Sequence, residues 1–77
     1  PNVEADSSPV YSSEYKANIL ELIQKIEKIN SEYEEGNFDE CEDILDLCFY
    51  ILDDMKEDNN TQMIKQQLDN WKHKLED

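Results

Sequence analysis

Tyr33-Glu34-Glu35-Gly36-Asn37-Phe38-Asp39-Glu40 is the stretch that decides the fold, because it holds the only glycine in a chain of 77 residues. Upstream, Tyr15, Ile19, Leu22, Ile26, Ile29 and Tyr33 recur at alternating steps of four and three, the seam of an amphipathic helix, with Leu20 and Ile23 widening it. Downstream, Phe38, Cys41, Leu45, Cys48, Leu52 and Met55 follow the same rhythm. Glycine reaches the left-handed conformation that ends a helix at little steric cost, so Gly36 is expected just past the end of the first helix. Two helices then fold back on each other there.

Working outward, Ser13 is expected to cap helix one, with Glu14 in its first turn where negative charge suits the helix dipole. Asn37 is expected to cap helix two, with Glu40 three residues on as in a capping box. Ile44, Leu47, Phe49 and Ile51 spread the apolar surface of helix two beyond one seam, so it should lie between two neighbours. Glu57-Asp58-Asn59-Asn60 is a polar break, after which Asn59, Asn60 or Thr61 is expected to cap helix three. Its stripe is Ile64, Leu68, Trp71 and Leu75. Short connections make successive helices antiparallel neighbours. The expectation is an all-α, up-down-up antiparallel three-helix bundle over residues 13–77, with helices about 14–35, 38–57 and 61–76. Residues 1–12 hold both prolines and no basic residue, and read as a flexible arm.

Composition narrows the function. One domain of this length buries a modest fraction of its surface, which disfavours a deep catalytic cavity. A chain opening on Pro1 is expected to be part of a longer protein. No apolar run reaches the length of a membrane span, and no signal peptide is visible, so membrane insertion is not expected. Cys41 and Cys48 are two helical turns apart, roughly 10 Å, too far for an intrachain disulfide. They read as buried, reduced thiols, which points to the cytoplasm or nucleus. His73 is the single histidine and reads as a surface residue near a helix C-terminus. With no base beside a nucleophile and no metal-ligand spacing, neither enzyme activity, a metal nor a cofactor is expected. A calcium loop around Gly36 would put Ser31 and Tyr33 where Asp or Asn ligands belong. The serine that an acyl carrier protein needs at the start of helix two is also absent, since Asn37-Phe38-Asp39 stands there.

The net charge of −13 is concentrated. Residues 36–58 hold nine acids against Lys56 alone, whereas residues 59–77 are neutral. Asp39, Asp43, Asp46, Asp53 and Glu57 lie close to one helical line with Tyr50 between them, and Glu42 and Asp54 are adjacent to it. Such a strip is either a solvated face or a docking surface for a basic helix or tail, and it repels nucleic acid. Met63 and Trp71 are candidates for the apolar side of the same site. Trp71 reads most simply as core with its indole N–H at the surface, and otherwise as the floor of an interhelical groove. The other readings are a homo-oligomerising scaffold whose seam is Leu20 and Ile23 on helix one, and an acidic mimic of nucleic acid that inhibits a basic enzyme.

Leu22-Ile23-Gln24-Lys25-Ile26, then Tyr33-Glu34-Glu35 before a Phe-x-x-Cys-x-x-x-Leu turn, then Asn59-Asn60 before Ile64–Leu75, resemble the microtubule-interacting and trafficking (MIT) family. The resemblance covers about three-quarters of the chain. It implies a three-helix domain without activity of its own, which binds short tails of membrane-remodelling proteins in an interhelical groove, with acids meeting basic residues. The Trp71-Lys72 ending also resembles the close of the N-terminal helical domain of transcription elongation factors, which implies a helical interaction domain of that type.

Overall fold

A computed structural model describes residues 12–76, and the expected N-terminal arm lies outside them apart from Ser12. Three helices follow in order: α1, Ser13–Glu34; α2, Phe38–Asp53; and α3, Asn59–Glu76. The described residues contain no strand. This is the three-helix, all-α arrangement that the periodicity predicts. The core is Leu22 and Ile29 from α1, Cys41, Ile44, Leu45, Cys48 and Leu52 from α2, and Ile64 and Leu68 from α3. α2 packs on both neighbours, while α1 and α3 touch each other least. Burying each large aliphatic side chain contributes about 1.5–3 kcal/mol, so α2 carries the largest share.

Gly36 sits at φ 84°, the only positive φ among the described residues. It is the residue after the α1 C-cap, Glu35. The Asn37 N–H donates to the Glu32 carbonyl at 2.9 Å and the Gly36 N–H to the Tyr33 carbonyl at 3.1 Å. These two bonds make a Schellman motif and satisfy carbonyls that the helix end would otherwise orphan. The Asn37 side chain donates to the Glu32 carboxylate at 2.7 Å. That bond uses the amide for closing α1, so Asn37 makes no side-chain cap on α2, contrary to the expected capping box. α2 starts without it, helped by Asp39 and Glu40 in its first turn.

The other caps also differ from expectation. Ser12, not Ser13, caps α1: its Oγ accepts the Tyr15 N–H at 3.0 Å. Either serine satisfies the pattern, and the chain places the earlier one in the extended conformation that a cap requires. α2 ends at Asp53 rather than near residue 57, so Glu57 belongs to the loop. α3 starts at Asn59, two residues early, because Asp58 is its cap. Asp58 Oδ1 accepts the Thr61 N–H at 2.8 Å. The Asp58 N–H in turn donates to Thr61 Oγ1 at 2.8 Å, a reciprocal cap. Thr61 is buried within it.

A tertiary bond strengthens this cap. The Tyr15 hydroxyl, from the first turn of α1, donates to Asp58 Oδ2 at 2.5 Å, and the Asn60 amide donates to the same hydroxyl at 3.3 Å. The Tyr15 bond first, then the Thr61 N–H, holds the Asp58 carboxyl below its ordinary pKa of 3.8. A depressed carboxylate pKa adds stability that is present above 3.8 and is lost as pH falls through the lower folded value.

Two outcomes follow for stability. A Cβ at residue 36 would meet no atom within 4 Å, so Gly36→Ala should cost only the backbone strain of its φ, about 1 kcal/mol. Urea unfolding should show that loss, and Gly36→Asn should lose less. Tyr15→Phe should lower the melting temperature at pH 7. Its deficit against the parent should shrink as the pH is taken below 3.8; a pH-independent deficit would contradict the Tyr15–Asp58 linkage.

Candidate functional site

The expected site residues divide among separate places in the bundle. Asp46, Tyr50 and Asp53 line one open cleft between α2 and α3, of about 740 Å³. Their spacing puts them on one side of α2, and the start of α3 forms the opposite wall. Phe49, Leu52 and Met55 supply apolar lining, and Glu57 adds a carboxylate from the loop. Thr61, Gln62 and Lys65 of α3 complete the lining. Three acids therefore face one lysine. Among the described residues the ion pairs are Lys25–Glu21 at 3.3 Å and Lys28–Glu32 at 3.9 Å, both on α1. No lysine pairs with an α2 acid among them.

Asp43 is exposed on the α2 surface. Asp39 lies at the far end of α2, beside Phe38 and the Gly36 turn, in a separate shallow pocket. Asp53 is the last residue of α2 and Asp54 is its C-cap. Negative charge at that end opposes the helix dipole and costs a few tenths of a kcal/mol or more. Glu34 and Glu35 stand in the same position at the end of α1, so this cost is not confined to the cleft.

Met63 and Trp71 are not in the acidic cleft. Met63, 61% exposed, lines an open groove of about 390 Å³ between α1 and α3 with Ile19, Ile23, Ile26 and Ile64. Trp71 packs edge-on to Tyr33, with ring centroids 5.3 Å apart, and Tyr33 in turn meets Phe38 at 5.3 Å. Lys74 Nζ stands 4.8 Å from the Trp71 ring and 5.3 Å from the Tyr33 ring. This cluster joins the end of α1, the start of α2 and the last turns of α3. Trp71 is thus half-buried packing at the bundle end, with one edge lining a shallow depression beside Gln67 and Asn70. The apolar lining of the acidic cleft is Phe49, Leu52 and Met55, not Met63 and Trp71. Phe49 and Leu52 belong to the broad apolar surface of α2, whereas Met55, expected on the same helical stripe, follows the C-cap in the loop because α2 ends at Asp53. The sequence marks them as apolar, and only the placement of α3 decides which part of that surface stays open.

The remaining chemistry is quiet. Cys41 and Cys48 are free thiols, both fully buried. The Cys41 Sγ donates to the Ile29 carbonyl at 3.4 Å, and burial followed by Glu32 pushes its pKa up. Burial pushes Cys48 up to about 11, opposed by Lys25 and reinforced by Glu21. Burial and a raised pKa both disfavour the thiolate, the nucleophilic form. His73 is exposed in the last turn of α3 with Lys74, where positive charge suits the dipole. Among the described residues no three His, Cys, Asp or Glu side chains gather where a metal ion could be held. No helix of the described residues is long and apolar enough to cross a membrane.

Comparison with protein-family models, with curated proteins and with solved structures gives no match to this chain.

The burial of both thiols has a direct measure. Reaction with an aromatic disulfide reagent at pH 8 should be slow for the folded chain, and both thiols should react at once in denaturant. Fast modification of either thiol in the folded state would contradict their burial.

Proposed function

We propose that this chain is a non-enzymatic protein-interaction module that takes a basic helix or tail of a partner protein in the α2–α3 cleft. The observation that carries the reading is the composition of that cleft: Asp46, Asp53 and Glu57 stand around Phe49, Leu52 and Met55. Lysine and arginine match such a surface, because their aliphatic stems lie on apolar ground while their charged heads reach a carboxylate rim. Tyr50, 78% exposed, offers a ring edge and a hydroxyl beside the rim.

The mechanism combines steering with docking. The excess of acids over residues 36–58 raises the local concentration of a basic segment and speeds encounter. Asp39, Asp43 and Asp54 act in this long-range field, while Asp46, Asp53 and Tyr50 make the contact. The apolar floor holds the docked segment after the charges have oriented it. Three helices of this length and order are also what a resemblance to the MIT family implies. The proposal extends along that line to tails of proteins that work at membranes, in the cytoplasm or nucleus, without a cofactor. The same negative field excludes direct nucleic-acid binding.

Titration of the chain with a lysine-rich amphipathic peptide should show saturable binding that weakens as salt rises from 0.05 to about 0.3 M. Asp46→Lys with Asp53→Lys reverses the charge of the rim and should weaken binding by about tenfold or more, chiefly by slowing association. Binding that is indifferent to salt and to this double change would overturn the proposal.

A further inference from the structure

The exposed apolar residues of α1 lie outside the acidic cleft and carry a pattern of their own. Lys16, Leu20, Ile23 and Glu27 follow at steps of four, three and four, so they form one line along the helix. Leu20 is 56% exposed and Ile23 44% exposed, and Lys16 and Glu27 are exposed at the two ends. Among the described residues neither Lys16 nor Glu27 makes an ion pair. The line is apolar in the middle, basic at one end and acidic at the other.

This arrangement is complementary to itself in one orientation. Leu20 and Ile23 are centred between residues 21 and 22, and so are Lys16 and Glu27. Two α1 helices packed antiparallel about that centre place Leu20 opposite Ile23 of the second copy and Lys16 opposite Glu27 of the second copy. The two-fold operation repeats both pairs, which is the condition for a closed isologous interface. A parallel pairing would set Lys16 against Lys16 and Glu27 against Glu27.

The rest of the molecule favours this face for self-association. A chain of net charge −13 repels its own copies, and the repulsion is concentrated over residues 36–58. The α1 line points away from α2. Ile23 and Glu27 border the groove toward α3, whereas Glu21 and Lys25, on another side of α1, stand near enough to α2 to influence Cys48. Met63 of α3 borders the same groove as Ile23 and widens the apolar centre. We propose that α1 is a homodimer interface, an antiparallel α1–α1 pairing centred on Leu20 and Ile23, with Lys16 and Glu27 setting its orientation. Both acidic α2 surfaces then face outward. The proposal does not rest on the use of the α2–α3 cleft.

Sedimentation equilibrium of the full chain at about 0.15 M salt, where general repulsion is screened beyond about 8 Å, tests it. The chain should show a monomer–dimer equilibrium, and Ile23→Glu should abolish the dimer. Lys16→Glu alone, or Glu27→Lys alone, sets like charges opposite each other at both pairs and should raise the dissociation constant by about tenfold. An equimolar mixture of the two variants restores opposite charges at both pairs and should dimerise as tightly as the parent. All of these positions are exposed, and circular dichroism should show unchanged helicity. A parent chain that stays monomeric up to about 1 mM would overturn the proposal. So would dimers indifferent to the charge reversals, or a mixture no tighter than either variant alone.

Discussion

Cys41, Ile44, Leu45, Cys48 and Leu52 are all buried along sixteen residues of α2, in one stripe that meets both neighbouring helices. α1 and α3 have little contact with each other, so each is held in the bundle mainly through α2. That arrangement sets the core, the orientation of the neighbouring helices and the position of the clefts. Cys41 and Cys48 are the small apolar members of that core, both fully buried. The Cys41 thiol, donating to the Ile29 carbonyl, marks how closely α1 approaches.

The polar surface of α2 follows from the same constraint. With two sides occupied by apolar contact, its charges are gathered into the remaining arc. Asp39, Asp43, Asp46 and Asp53 therefore fall on one line, without a lysine partner among the described residues. The repulsion among them weakens the helix by tenths of a kcal/mol per pair. A domain of this size has little stability to spare. The Schellman turn at Gly36 closes α1 just before α2, and the reciprocal Asp58–Thr61 cap, braced by Tyr15, opens α3 just after it. The aromatic cluster of Phe38, Tyr33 and Trp71 beneath Lys74 closes one end of the bundle.

Much of this is legible without coordinates, and the reason is periodicity. The repeated steps of four and three identify each helix, the breadth of apolar residues identifies α2 as central, and Gly36 identifies the turn. At the starts of the helices the departures lie where local chemistry offers neighbouring solutions. Ser12 and Ser13 are both good caps, and a residue at Asn37 can close α1 or open α2. At Asn37 the side chain is taken by Glu32, and at the start of α3 the cap Asp58 is also held by Tyr15. A sequence window cannot weigh a bond between residues 43 positions apart.

The candidate site divides in the same way. The sequence by itself determined a three-helix, strongly acidic chain with its charge on α2 and with apolar residues left over on α1, because those properties depend on residue type and helical spacing alone. Only the tertiary structure decided that Asp46, Tyr50 and Asp53 share a cleft with Phe49, Leu52 and Met55, while Met63 opens on the groove beside α1 and Trp71 is held at the bundle end. The helices' own periods say which residues share a face. They do not say where the neighbouring helix stops, and the open part of each face is set by the offset and rotation of α3 against α2, which packing across the whole core decides.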